Sequence, residues 1–323
     1  MADRFPNRPL LDIRSYARRG PAHRLSPAEV EQIRRTVTRT PEVMVKVLSQ
    51  PAATTSQVGR HVDYVSRNGE VEVETDDGKR LIERDGGADL IEDWNQDVPA
   101  VGSAEGVARG RVRSPRLVHK LVFSMPQGTS PQKVLSAVRA FAREEFGLKH
   151  RYAMALHTDE PHPHVHLIVK AVSEQGVRLN IRKETLRNWR SAFAAQLRAH
   201  GVSANATDRA VRGSNHQNRK TGIYRAAERG ESTFLWRRQL ELGREPERLP
   251  VKEVVAQQRL NQSRREVIAG WEALEVIAGR QGLQEVAADV RRFIDRMPRV
   301  QTDRQTVARH SEAKTQKEFE RVR

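Results

Sequence analysis

Cysteine is absent from the 323 residues. That excludes disulfides and thiolate metal sites, and it leaves His, Asp and Glu to hold any metal ion. It also fits a reducing cytoplasm. No apolar run approaches the roughly 18–20 residues that span a bilayer. No apolar segment follows the early basic residues, so neither membrane insertion nor a cleaved secretion signal is expected. There is no amphipathic stretch with an aromatic-rich apolar face, which argues against a lipid-surface binder. No Gly-x-x-x-x-Gly-Lys-[Ser/Thr] loop is present, so no ATP site is expected. Internal repeats and low-complexity tracts are also missing. What the chain does have is enough apolar content, 37%, for one good core and a smaller second unit. Its net charge of +16 and pI near 10.7 favour a polyanionic partner, nucleic acid first.

The basic excess is concentrated. Residues 178–238 hold 14 Lys or Arg against 4 Asp or Glu, so this one segment carries +10 of the total and is the expected backbone-contacting stretch. Within it, Arg182, Lys183, Arg187 and Arg190 open a helix, and Arg209 and Arg212 follow in a polar loop with Arg219, Lys220 and Arg225. Trp189 is read as a core residue rather than a base-stacking one. Residues 251–323 carry a net +4, ordinary for a solvated helical surface.

Periodicity predicts an α+β fold, an antiparallel sheet with flanking helices followed by an all-α C-terminal region. The expected divisions are 1–40 as an N-terminal arm and helix, 41–233 as the main domain, and 234–323 as the helical region. Residues 1–25 read as irregular. Ser26-Pro27-Ala28-Glu29 is a capping box opening a helix to about Thr38. Strands are expected over Val43–Leu48, Leu117–Ser124, Tyr152–His157 and His164–Val172, with a hairpin turning at Asp77-Gly78. Residues 84–114 read as a surface loop. Val134, Val138, Phe141 and Ala142 mark one buried helical stripe, and another helix is expected over about 183–200.

Four histidines lie within ten residues, in His157-Thr-Asp-Glu-Pro-His162-Pro-His164-Val-His166. Strand side chains alternate faces, so His164 and His166 point one way while Val165, Leu167 and Val169 face the core. A hairpin would return the chain so that His157 joins the pair, giving three converging imidazoles and a metal site. His162, in the Pro-containing turn, is expected to aim its ring elsewhere. Asp159 suits a partner that fixes a ligand's tautomer.

A second candidate group lies on the helix over about 56–68. Val58, Val62 and Val65 form its buried stripe and Tyr64 lies off it. Arg60 and Arg67 share a flank with Tyr64, where two guanidiniums could hold phosphates around a phenol. A phenol of pKa about 10 attacks a phosphodiester only with help from a cation or base. Asp63, next in the chain, is a candidate to orient or deprotonate it.

Four segments in order carry a resemblance: His61-Val-Asp-Tyr64-Val-Ser-Arg-Asn-Gly69, Leu121-Val-Phe-Ser-Met-Pro-Gln-Gly128, the histidine segment, and Ala206-Thr-Asp-Arg-Ala-Val-Arg-Gly213. Over about residues 43–213 the chain resembles the relaxase (mobilisation nuclease) superfamily, in its Vir-type, T-DNA border endonuclease-like branch. The resemblance implies an antiparallel sheet with helices that brings the first segment beside a metal. It implies that Tyr64 attacks the scissile phosphate at a transfer origin and leaves a 5′-phosphotyrosine. It implies His157, His164 and His166 as ligands of Mg2+ or Mn2+, with Zn2+ or Ni2+ compatible. Ser124 falls near the second segment, and Lys170 stands where many relatives have Asn. The implied partners are single-stranded and supercoiled DNA, with an accessory relaxosome protein or a secretion coupling protein. The implied setting is the cytoplasm, with transfer alongside the DNA open. A rolling-circle initiator or single-strand transposase would share this chemistry, and a non-catalytic DNA-binding accessory protein with an idle metal site is the alternative of another class.

Overall fold

The computed structural model describes residues 11–49, 52–81, 86–95, 116–214, 231–243 and 251–298, with residues 223, 226, 229, 300, 302, 304 and 305. Its strands are β1 (Met44–Val47), β2 (Val73–Thr75), β3 (Arg80–Leu81), β4 (Val118–Ser124), β5 (Tyr152–His157) and β6 (His164–Lys170). Its helices are α1 (Ile13–Arg19), α2 (Pro27–Val37), α3 (Thr55–Val65), α4 (Gly86–Asn95), α5 (Pro131–Glu145), α6 (Lys183–Ala199), α7 (Thr233–Gly243), α8 (Val251–Arg280) and α9 (Gln284–Asp295). They fall into two compact units, one built on Arg39–Ala206, the other on Leu11–Thr38 with Thr207–Arg323.

The first unit is a six-stranded sheet in the order β1-β4-β6-β5-β2-β3, antiparallel at every pairing. β6 lies between β4 and β5, in a register that sets His164 opposite both Ser124 and His157. Alternation then assigns the faces. Val165, Leu167 and Val169 join Leu121, Phe123 and Met154 in a core closed by α5 and α6, where Val134, Val138, Phe141, Trp189 and Phe193 are all buried. Each such apolar side chain contributes about 1.5–3 kcal/mol by leaving water. Trp189 is thus a core residue, as its helical stripe predicts.

The opposite face takes α3. Val58, Val62 and Val65 pack on Ala153, Ala155, Ile168, Val73 and Val118, and the two alanines leave room for the helix to approach. The Thr54 hydroxyl caps α3 by accepting from Gln57 N–H. Residues 84–114 hold more than the expected loop, because α4 covers their first part and packs beside α3 with Leu90 and Trp94 buried. Two glycines hid it from a reading of composition. The second of them also lets it sit there, since a Cβ on Gly87 would fall 2.7 Å from Asp63 Oδ1 and 3.0 Å from the Gly59 carbonyl. Arg151 anchors α4 by donating to Asp93 at 2.7 Å while also holding Asp76 at 2.7 Å. The rest of that expected loop, residues 96–114, lies outside the described residues.

The second unit is all helical. The supposed irregular arm contains α1, whose Ile13 and Tyr16 are buried against α8, and α2 packs on α9. Residues 1–40 therefore do not stand as a separate arm and helix: α1 and α2 share a core with α8 and α9. The Ser26–Glu29 capping box is formed as the sequence predicts. Trp271 donates its indole N–H to the Val211 carbonyl at 2.9 Å, tying the 207–214 segment to α8. At the α1–α8 crossing a Cβ on Gly270 would lie 2.1 Å from the Ile13 carbonyl oxygen. Gly270→Ala should therefore destabilise this unit by about 1–3 kcal/mol through overpacking, read as a lower urea midpoint. An unchanged midpoint would show that α1 does not pack there.

Candidate metal and tyrosine site

The β5–β6 hairpin delivers the three histidines by register. His157 and His164 are a directly opposed pair, and His166 lies opposite Ala155, a residue small enough to leave its imidazole room. The ring centroids are 5.2 Å apart for His157 and His164, 4.6 Å for His157 and His166, and 5.3 Å for His164 and His166. One nitrogen of each lies within 4.8 Å of the others. Three imidazole nitrogens grouped in this way are a donor set that suits a divalent ion.

Hydrogen bonds set the tautomers. His157 donates from Nε2 to the Val65 carbonyl at 2.7 Å, which leaves Nδ1 with the lone pair. His164 donates from Nδ1 to the His162 carbonyl at 3.0 Å, which leaves Nε2 with the lone pair. The buried Nδ1 of His166 has no protein partner. Burial lowers the pKa of His157, and with its neighbours' charges it pushes His166 down to about 3. Depressed basicity at His157 and His166, lone pairs directed by hydrogen bonds and an unpartnered buried nitrogen fit a divalent cation.

The helix brings the phenol to this cluster. Tyr64 is 54% exposed, and its ring lies 6.1 Å from that of His166, edge to face. The guanidinium of Arg67 stands 5.2 Å from the Tyr64 ring centre. Arg67 reaches it from beyond the helix: α3 ends at Val65, and Arg67, Asn68 and Gly69 all have positive φ. The shared flank expected for Arg60 and Arg67 is thus replaced by a left-handed turn that swings Arg67 back over the ring. The helix stops earlier than the predicted Asn68-Gly69: Ser66 is its C-cap and the left-handed conformation begins at Arg67, with Asn68 and Gly69 continuing the turn.

Arg67 also donates to Asp159 at 2.5 Å and approaches Nδ1 of His157 at 3.4 Å. Asp159 therefore acts on the histidines through a guanidinium rather than by contacting an imidazole. His162 turns its ring away, accepting at Nδ1 from the Gln127 N–H at 3.0 Å, while its carbonyl orients His164. Asp63 places Oδ1 against Gly87, in the first turn of α4. Arg60 is exposed and donates to the Ser56 carbonyl.

The basic residues divide. Arg182, Lys183, Arg187 and Arg190 begin α6, which lies across the sheet from the histidines; Arg182, Lys183 and Arg187 are exposed. Arg209 and Arg212 belong to the helical unit. Arg219, Lys220 and Arg225 lie outside the described residues.

Two residues that chemistry-led reading passed over stand here. His61 is buried, stacked 6.1 Å from Tyr64 and 6.2 Å from His166. Lys120 is buried on β4, in phase with Val118, Val122 and Ser124. A signal for each was present: His61 sits one turn before Tyr64, and Lys120 interrupts an apolar strand on the face that bears the histidines.

Burial, then the Lys120 charge, pushes His61 down to about 4 from 6.5. Between those values the unfolded chain binds the more protons, so stability present at neutral pH is lost as pH falls. At pH 5 His61 alone should cost the metal-free fold roughly 2 kcal/mol. The urea midpoint should drop between pH 7.5 and 5, and drop less in His61→Gln. A midpoint that ignores pH would contradict the burial of these rings.

Residues 77–202, which include all three histidines and leave out Tyr64, match the family described as relaxase, MobA/VirD2-like, nuclease domain. The chain is 27% identical over 193 residues to the T-DNA border endonuclease VirD2 of Agrobacterium fabrum, covering 55% of this chain and 42% of that protein. It is 27% identical over 173 residues to the VirD2 of Rhizobium radiobacter, covering 50% and 40%. The chain thus spans about two-fifths of the length of these curated relatives. Among solved structures, a Mn-bound MobM relaxase domain with plasmid pMV158 oriT DNA aligns with TM-score 0.38 at 13% identity, over 58% of this chain and 98% of that one. The conjugative relaxase TrwC with oriT DNA, metal-free, aligns with TM-score 0.32 at 14% identity, over 75% and 99%. Over residues 77–202 the chain is thus similar to the nuclease domain of the MobA/VirD2-like relaxase family.

Proposed function

We propose that the chain nicks and rejoins one DNA strand at a plasmid transfer origin through a covalent 5′-phosphotyrosine on Tyr64, in the service of conjugative mobilisation. The observation that carries this reading is the 6.1 Å approach of the Tyr64 ring to His166, beside three imidazoles able to share one ion. The family match and the border endonucleases among its relatives support it.

His157, His164 and His166 would hold the ion, with Mg2+ or Mn2+ favoured and Zn2+ or Ni2+ compatible with imidazole donors. When bound, it would supply Lewis-acid polarisation of the scissile phosphate. The chain's own residues do the rest. The Tyr64 phenol gives up its proton, and its oxygen bonds to phosphorus. The bond to the 3′ oxygen breaks, and that oxygen takes up a proton. The reverse attack rejoins the strand, and because the phosphotyrosine retains the ester, no nucleotide cofactor is needed. Arg67, held by Asp159 over the Tyr64 ring, supplies positive charge where the phosphate oxygens would gather it, and Arg60 supplies more from one helical turn earlier. His61 lies nearly parallel to the phenol ring, 6.1 Å away.

Arg182, Lys183, Arg187 and Arg190 would follow the DNA backbone away from the reacting centre, as would Arg209 and Arg212. The exposed Phe234, Trp236 and Leu240 of α7 support a protein partner, an accessory protein of the DNA complex or a secretion coupling protein. The setting we assign is the cytoplasm. Among the described residues no helix is long and apolar enough to cross a membrane.

Tyr64→Phe should abolish relaxation of a supercoiled plasmid bearing its origin, and with it the covalent protein–DNA adduct, while single-strand affinity stays near that of the unaltered chain. An adduct formed by Tyr64→Phe would remove Tyr64 as nucleophile. Chelation should stop relaxation and added Mn2+ restore it. The double variant His164→Ala, His166→Ala should resist that rescue and lose Mn2+ binding by calorimetry. Rescue of the double variant would place the ion elsewhere.

A further inference from the structure

Two part-buried arginines of the sheet unit are paired with carboxylates. Arg151 holds Asp76 and Asp93, and Arg139 grips Glu74 with two bonds of 2.6 Å. Lys120 breaks that pattern. It is only 5% exposed, and among the described residues its side chain has no carboxylate and no hydrogen-bond partner. The charges that act on it are those of Arg116 and Arg60, both repulsive. Neither of those side chains has a carboxylate partner among the described residues either. Arg60 is exposed and Arg116 half-buried, so the loss of hydration falls on Lys120 while the two guanidiniums add repulsion, an arrangement unfavourable to the empty fold. It becomes favourable once an anion enters, and most so for one with several acceptor oxygens.

Its place in the sheet says which anion. Lys120 lies opposite Ile168, so it is the diagonal neighbour of His166 across the β4–β6 pair, on the face that carries the histidines. Arg60 comes down from α3, one turn before Tyr64. Lys46 continues the row on β1, opposite Val122 and exposed. We infer that Lys120, with Arg60 and Arg116, forms a phosphate subsite that holds a backbone phosphate of the DNA strand adjacent to the one Tyr64 attacks. This rests on the DNA-nicking reading above. Lys120 is a binding residue in it and takes no part in bond making. Occupying the subsite would fix the strand's register over the tyrosine, without reading its bases.

The test is binding of a fluorescein-labelled single-stranded oligonucleotide of mixed sequence to the full chain, by anisotropy across a salt series without divalent metal. Lys120→Met should weaken binding at least tenfold, about the loss of one charge-assisted hydrogen bond. It should also make the slope of log affinity against log salt shallower by about 0.7, one phosphate contact on a single strand. Lys120→Arg should keep most of the slope. The thermal midpoint of Lys120→Met should equal or exceed that of the unaltered chain, since an unpaired buried charge is gone, and Mn2+ affinity should be unchanged. If Lys120→Met fails to fold, Lys120→Gln in the same salt series decides. Equal slopes for the unaltered chain and the uncharged variant would overturn the subsite and leave the nicking reading standing. An unaltered chain with no affinity for the oligonucleotide would overturn both.

Discussion

One hydrogen bond couples the two halves of the candidate site. His157 ends β5 and donates to the carbonyl of Val65, the last residue of α3 and the neighbour of Tyr64. That bond fixes the imidazole's tautomer and at the same time fixes where the helix ends over the sheet. With the valine stripe seated on Ala153, Ala155 and Ile168, neither the depth nor the rotation of α3 is free. Tyr64 is held beside the histidines because its neighbour's carbonyl is one of their partners. A strand register and a helix terminus, far apart in sequence, become one geometric constraint.

The electrostatics follow from the same packing. Close approach of α3 buries His61 and His166 and keeps their rings neutral, as ligation requires. The left-handed turn after α3 brings Arg67 back over Tyr64 and against Asp159, so positive charge stands beside the phenol without displacing the histidines. The sheet's other face, closed by α5 and α6 over an aromatic core, supplies rigidity and no chemistry. The chemistry lies on one face and most of the apolar burial on the other.

Much of this was legible in the sequence. Period-two alternation assigned His164 and His166 to one face, and the valine spacing of α3 placed Tyr64 off the buried stripe. Both are local consequences of backbone geometry. The Ser26–Glu29 capping box and the turn residues were legible for the same reason. What was not legible depended on partners distant in the chain. Arg67 looked like part of a helical flank because periodicity carries no information on where a helix stops bending to its own rules. That Asp63 also borders α4 was hidden because that helix is concealed behind its own glycines. Asp159 reaches the histidines only through Arg67, and α1 and α2 share a core with the C-terminal helices. Lys120 and His61 drew no notice because a lone lysine or histidine in an apolar pattern gains meaning only from what surrounds it.

The central claim is spatial: the Tyr64 phenol adjoins an ion held by His157, His164 and His166. It can be measured by fluorine NMR of protein whose four tyrosines carry a ring fluorine, during titration with one equivalent of Mn2+. The predicted result is that the resonance missing from the Tyr64→Phe spectrum broadens first and most, and that it no longer responds once His164 and His166 are both alanine. Equal broadening of all four resonances, or a Tyr64 signal that stays sharp while another tyrosine broadens, would contradict it.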